Sequence, residues 1–235
     1  MEQPVAVLTG GTGGLGIQLA RRLEARGFRL AVSYLVPDEA DGFEEEIGLG
    51  EDRILLRRCD STDPAAMGGF IGETVERFGG INVLACLVGG WAGGSDVEET
   101  DDVRFDRMID VNLRTAFNAA RSALPHLRRA EWGRIVMVGN RAAVEPVAGQ
   151  AAYNVAKAGV IALARTIAEE VGEAPITANV VLPSVIDSPA FRELAPFADY
   201  VNWPTPEEIA RVIDFLASPE SSVINGAMIP VYGKM

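Results

Sequence analysis

Tyr153 and Lys157 stand four residues apart in a stretch of helical periodicity, Ala151 to Val171. Positions i and i+4 share one face of a helix, so phenol and ammonium would point the same way. A free phenol has a pKa of about 10, too high for proton transfer at neutral pH. A nearby ammonium favours the phenolate and lowers that value. The pair could then give a proton to a substrate oxygen or nitrogen, or take one in reverse. On its own, this spacing is no more than an incidental helix pair, and its weight comes from residues elsewhere in the chain.

The first of these is the run Thr9-Gly10-Gly11-Thr12-Gly13-Gly14-Leu15-Gly16. It lies between a short apolar run, Val5 to Leu8, and a helical pattern, Ile17 to Arg26, that stops at Gly27. A turn this tight needs residues without Cβ. A pyrophosphate must also approach backbone N–H groups at a helix N-terminus, where the dipole favours an anion. The context, strand then glycines then helix, predicts dinucleotide binding.

Strand and helix patterns alternate along the chain. Strands are predicted at Leu30 to Tyr34, Ile54 to Leu56, Val83 to Val88, Ile135 to Val138, Ile176 to Val181 and Ala227 to Val231. Helices are predicted as a weak acidic one near Asp41 to Ile47, at Pro64 to Phe78, at Ala151 to Val171 and at Thr205 to Ala217. A long one spans Val103 to Arg129, with Pro125 bending or ending it. Such alternation implies an α/β fold, a Rossmann-type doubly wound sheet of about seven mostly parallel strands in three α/β/α layers. With no repeat or linker, residues 1–235 read as one domain with a lid segment near 188–204.

The spacing Gly10, Gly14, Gly16 resembles the TGxxxGxG pattern of the short-chain dehydrogenase/reductase family, and the resemblance runs over the whole chain. Tyr153-Asn154-Val155-Ala156-Lys157 matches the family's YxxxK, and Asn112, in Val111-Asn112-Leu113, its catalytic asparagine. Asp60 matches an aspartate that contacts the adenine, and Pro183 a proline beside the nicotinamide. The resemblance implies that Lys157 also holds the nicotinamide ribose and that Asn112 fixes a water relaying protons to it. Gly10, Thr12, Gly14, Leu15, Gly16, Tyr34, Asp60 and Ser61 would hold the dinucleotide. So would Val88, Gly89, Tyr153, Lys157, Pro183, Ile186 and Ser188. Such enzymes are commonly homotetramers or homodimers that pack two long helices and the last strand, and Val223 to Tyr232 is apolar enough to join in.

The chain departs from the pattern in three places. Thirteen residues before the tyrosine the family usually has a serine that binds the substrate carbonyl; here Asn140 stands there. An amide can donate and accept, so polarisation of substrate could survive with altered geometry, and an imine or quinonoid ring becomes an alternative to a ketone. In place of NNAG after the fourth strand the chain reads Leu87-Val88-Gly89-Gly90-Trp91. That run is similar to the branch containing quinonoid dihydropteridine reductases, which also lacks the serine. Finally, the acid that would pair with the 2′-hydroxyl of NAD falls at Tyr34, and the base for the 2′-phosphate of NADP falls at Leu35 or Gly13. A 2′-phosphate beside the acidic stretch Asp38 to Asp52 is disfavoured by charge, so NAD(H) is favoured and NADP(H) left open.

Catalytic roles thus fall to Asn112, Asn140, Tyr153 and Lys157. Trp91, Asn140, Arg141, Phe191 and Trp203 would bind the substrate, with Leu194, Phe197 and Tyr200 adding apolar character to the lid. The leading reading is an NAD(P)H-dependent oxidoreductase that transfers hydride to a C=O or C=N group of a small apolar or aromatic molecule, with Tyr153 as proton donor. Alternatives are a non-redox cyclase, dehydratase or isomerase on this fold, and a nucleotide-binding regulatory protein. At 235 residues and a net charge of −12 the chain lacks the basic footprint of a nucleic-acid binder. No apolar run reaches a membrane span and no signal peptide is evident. Cys59 and Cys86 lie in apolar runs that read as strands, which suits buried thiols in a cytoplasmic protein. One histidine, His126, placed at a helix end and read as a surface residue, makes a metal site unexpected.

Overall fold

The computed structural model describes residues 3–48, 50, 52–194 and 202–234. Seven strands form one sheet in the order β3-β2-β1-β4-β5-β6-β7, with every neighbouring pair parallel. They are β1 (Val5–Thr9), β2 (Arg29–Tyr34), β3 (Ile54–Arg58), β4 (Val83–Cys86), β5 (Gly133–Val138), β6 (Ile176–Pro183) and β7 (Met228–Val231). Between them run α1 (Gly14–Ala25), α2 (Pro37–Ile47), α3 (Pro64–Phe78), α4 (Asp102–Ile109), α5 (Thr115–Leu127), α6 (Ala151–Glu170), α7 (Pro189–Leu194) and α8 (Pro206–Leu216). This is the doubly wound three-layer fold that the alternation implies.

Successive side chains on a strand point to opposite faces, and here both faces are buried. Val5 and Val7 join one apolar cluster with α3, α5 and α6, whereas Ala6 and Leu8 join a second with α1 and α8. On β4, Leu84 and Cys86 face the first cluster, Val83 and Ala85 the second. The central strands therefore read as unbroken apolar runs. Neighbouring β1 and β4 mark the point where the strand order reverses, which opens a crevice at their carboxyl ends.

The structure corrects several boundaries. The long helix expected over 103–129 is three pieces: α4, a π-helical turn at Asp110–Arg114, and α5. One extra residue enters the turn there, and Asn112 sits in it. Pro125 neither ends nor starts this break, since α5 continues to Leu127. Helix α1 begins at Gly14, inside the glycine run, three residues earlier than its apolar periodicity indicates. Strand β4 ends at Cys86, and Cys59 lies just beyond β3; both thiols are buried and free. His126 is half-buried. Phe197 and Tyr200 fall outside the described residues, as does the side chain of Leu194.

Candidate active site

A cavity of about 810 Å³ opens at the carboxyl ends of the central strands. One wall is the glycine run, where three constraints fix the backbone. Gly10 has φ +63°, and a Cβ on it would approach Val88 Cγ2 to 2.8 Å. A Cβ on Gly16 would lie 2.2 Å from the Gly11 carbonyl oxygen. Gly13 and Gly14 meet nothing within 4 Å, and both line the cavity. Helix α1 has no side-chain cap, and its ladder starts with Ile17 N–H donating to the Gly13 carbonyl. The amides before Ile17 are thus spare donors at the positive end of the helix. An anion seated on that bare end fits these residues, as a pyrophosphate would.

Lys157 and Asn112 converge on the opposite wall. A Cβ on Gly89 would lie 3.1 Å from Asn112 Oδ1 and 3.2 Å from Lys157 Nζ, so a larger residue there would crowd both groups. The π turn directs the Asn112 amide at Gly90: Nδ2 donates to the Gly90 carbonyl at 2.9 Å, and Oδ1 accepts from Gly90 N–H at 3.2 Å. Nδ2 also reaches the Met108 carbonyl at 3.1 Å. The asparagine therefore shapes the loop after β4, which spacing alone did not indicate.

Lys157 Nζ donates to the Val138 carbonyl at 2.9 Å and sits 5.9 Å from the Tyr153 ring centroid. Burial lowers its pKa to about 8. Burial pushes the Tyr153 phenol well above its usual value. The lowering expected from the nearby ammonium does not appear here, because desolvation of the phenolate dominates. The hydroxyl therefore stays protonated, the form that donates.

The lysine shift has a thermodynamic consequence. The unfolded chain holds that proton up to about pH 10.4, the folded chain only to about pH 8. Between these values the unfolded state binds more protons, so the burial penalty on folding is relieved as pH rises. Lys157→Met has no such contribution. From pH 7.5 to pH 10 the urea-unfolding free energy of the wild type should gain about 2 kcal/mol on that variant. A difference that stays flat with pH would refute the low lysine pKa.

Asn140, half-buried at the end of β5, lines the cavity, but its amide is largely committed. Oδ1 accepts from Ala142 N–H at 2.8 Å, and Nδ2 donates to the Ser184 carbonyl at 3.1 Å. One N–H remains for substrate. The residue acts first as a staple between the ends of β5 and β6.

Trp91, Phe191 and Trp203 come together in the same cavity. Trp91 and Phe191 meet edge-to-face with centroids 6.2 Å apart, Phe191 and Trp203 at 5.7 Å. Trp91 lines the cavity and is still 47% exposed. Arg141 lines it too, with Nε donating to Glu145 at 2.7 Å and its guanidinium 4.9 Å from the Tyr232 ring centroid. Leu15, Pro183, Ile186 and Ser188 border the cavity between the two walls.

Thr12, Tyr34, Asp60, Ser61 and Val88 do not line it. Val88 packs on Gly10, and Asp60 is tied to its own turn, accepting from Thr62 N–H at 2.9 Å and Thr62 Oγ1 at 2.7 Å. The Ser61 and Thr62 carbonyls accept from the buried Asn118 amide. Sequence reasoning missed Tyr232 and Lys234, which border the cavity from the far end of the chain, and Glu39, which accepts from Thr12 Oγ1 at 3.0 Å. Among the described residues no His/Cys/Asp/Glu group could hold a metal ion, and no helix is long and apolar enough to cross a membrane.

Comparisons with known proteins agree with this geometry. A family model described as enoyl-(acyl carrier protein) reductase matches residues 10–233. The chain is 34% identical to the 3-oxoacyl-[acyl-carrier-protein] reductase MabA of Mycobacterium tuberculosis, over 97% of this chain and 91% of that one. It is 29% identical to a D-beta-hydroxybutyrate dehydrogenase of Rhizobium meliloti, over 93% and 85%. Among solved structures, a dehydrogenase/reductase of Sinorhizobium meliloti superposes with a TM-score of 0.87 at 30% identity, covering 99% and 95%. Levodione reductase superposes with a TM-score of 0.89 at 26% identity, covering 99% and 97%.

Proposed function

The chain belongs to the short-chain dehydrogenase/reductase family, an enzyme family of NAD(P)-dependent oxidoreductases, and we propose that it reduces a C=O or C=N group on a small, mainly apolar molecule. One observation carries this reading: a buried, protonated tyrosine and a buried lysine share a cavity with a bare helix N-terminus shaped by glycines. When bound, a reduced nicotinamide dinucleotide supplies the hydride. Tyr153 donates its phenolic proton to the substrate oxygen or nitrogen as negative charge develops there. Lys157, charged below about pH 8, steadies the phenolate left behind. Asn112 holds the loop at Gly89 and Gly90 so that Lys157 keeps its place. The residual Asn140 N–H and Trp91 orient the substrate.

The experiment is coenzyme oxidation, followed optically, with NADH or NADPH and a panel of ketones, cyclic diketones, imines and a quinonoid dihydropteridine. The last is included for the Trp91 run and the missing serine. Oxidation that depends on substrate is expected. Binding without turnover across the panel would favour a regulatory protein, and product without coenzyme loss a cyclase, dehydratase or isomerase.

NADH is the expected coenzyme, since neither Leu35 nor Gly13 offers a cation to a 2′-phosphate. A homo-oligomer is expected as well. Phe105 on α4, Phe117 on α5 and Val155 on α6 are 41%, 45% and 52% exposed, apolar surface on the long helices that a second copy would cover. Light scattering at the mass of a dimer or tetramer checks this, and a monomer at micromolar concentration would overturn it.

A further inference from the structure

We propose that Gly233 sets the size limit on the substrate, by letting the C-terminal segment hold Trp203 as a partition between two cavities. The proposal rests on the reading above, that the site reduces a small, mainly apolar molecule. Beyond the substrate cavity lies a second one of about 760 Å³, lined by Glu208 and Arg211 of α8 and by Pro230 to Lys234. Trp203, Tyr232 and Lys234 line both, so they stand between the two spaces. Trp203 is fastened through the residues on either side of it. The Asn202 carbonyl accepts from Lys234 N–H at 3.1 Å, and the Pro204 carbonyl from Asp187 N–H at 3.0 Å. Tyr232 is fastened too. Ser184 Oγ donates to its carbonyl at 2.9 Å, and the Arg141 guanidinium lies over its ring.

Gly233 makes this arrangement possible. It has φ +85°, a backbone conformation that other residues resist. A Cβ there would overlap the Asn202 carbonyl oxygen and lie 3.0 Å from both N and Cδ of Pro204. These atoms belong to the backbone and a closed ring, so relief requires the two segments to separate. Separation carries Trp203 away from Tyr232 and joins the two cavities. A larger substrate then finds room that the intact partition denies it. The glycine run lies far from this change: β7 is four strands from β1, about 19 Å at the usual strand spacing.

The test is substrate selection with NADH, read as the ratio of kcat/KM for a phenyl-substituted cyclic ketone to that for the unsubstituted ketone. Gly233→Ala should raise this ratio about tenfold, the scale on which pocket contacts discriminate, with NADH affinity within a few-fold of wild type. Trp203→Ala should raise it similarly. The double variant should go no further, because both changes open one partition. Gly79→Ala is the control for backbone strain alone: Gly79 also has φ +85°, but a Cβ on it meets nothing within 4 Å. That variant should lose melting temperature and keep the wild-type ratio. Where Gly233→Ala does not fold, Lys234→Pro replaces it. Proline lacks the N–H offered to Asn202 and should raise the ratio, whereas Lys234→Ala keeps that donor and should not. An unchanged ratio in the folded Gly233→Ala or its replacement, an additive double variant, or an equal shift in Gly79→Ala would overturn the proposal. A wild type that reduces no member of the panel is a different result: it removes the reductase reading on which the proposal stands.

Discussion

Tyr153→Phe lowers kcat/KM about a thousandfold, with NADH affinity within a few-fold of wild type and the melting temperature nearly unchanged. The size follows from the role: a positioned proton donor contributes between about a hundredfold and ten-thousandfold. The selectivity follows from the packing. The ring of Tyr153 is 8% exposed and packs with Met108, Ala142 and Ala152, contacts that phenylalanine keeps. What disappears is a single oxygen and its proton. The loss should fall on kcat, because the proton is needed only as charge builds on the substrate. Steady-state kinetics and a binding titration on the same preparation separate the two. Full turnover in the variant would remove Tyr153 from the chemistry, and loss of NADH binding would recast it as a structural residue.

Features governed by local pattern were legible in the sequence. The two apolar faces of the central strands made each read as a continuous buried run. Pro64, with Asp63 capping the helix by accepting from Ala65 N–H, made the start of α3 readable. Tyr153 and Lys157 share a face because helix geometry requires it. Features that depend on burial or on distant chain were not legible. Spacing put an ammonium near a phenol, but only the fold shows how fully both are desolvated, which reverses the expected direction of the tyrosine shift. The break in the long helix falls where the Asn112 amide meets Gly90, 22 residues away, a contact that no local pattern shows. Asn140 was read by its donor and acceptor capacity; its commitment to Ala142 and Ser184 required the end of β6 to be in place. In the sequence Glu39 is one more acid of the stretch Asp38 to Asp52; only the turn after β2 brings it back to Thr12.

Gly16→Ala and Gly14→Ala divide the work of the glycine run between folding and binding. In Gly16→Ala the new methyl would fall 2.2 Å from the Gly11 oxygen, 2.4 Å from its carbonyl carbon and 2.5 Å from its Cα. These are backbone atoms, so relief requires α1 to move away from the loop rather than a side chain to rotate. Forced overpacking of this kind costs about 1–3 kcal/mol, which should appear as a lower melting temperature. The same displacement carries off the amides ahead of Ile17, so NADH affinity should fall at least about a hundredfold, given the steep distance dependence of hydrogen bonds. In Gly14→Ala the methyl meets no protein atom within 4 Å, and alanine is the better helix former. That variant should be as stable as wild type or slightly more so. Yet Gly14 lines the cavity at the bare end of α1, where a pyrophosphate would come closest to the backbone. NADH affinity should therefore fall at least tenfold with no loss of melting temperature. If Gly14→Ala bound NADH as tightly as wild type, no ligand would be approaching that end of the helix, and the glycine run would serve packing alone. If Gly16→Ala melted normally and bound normally, the close approach of α1 to Gly11 would be wrong.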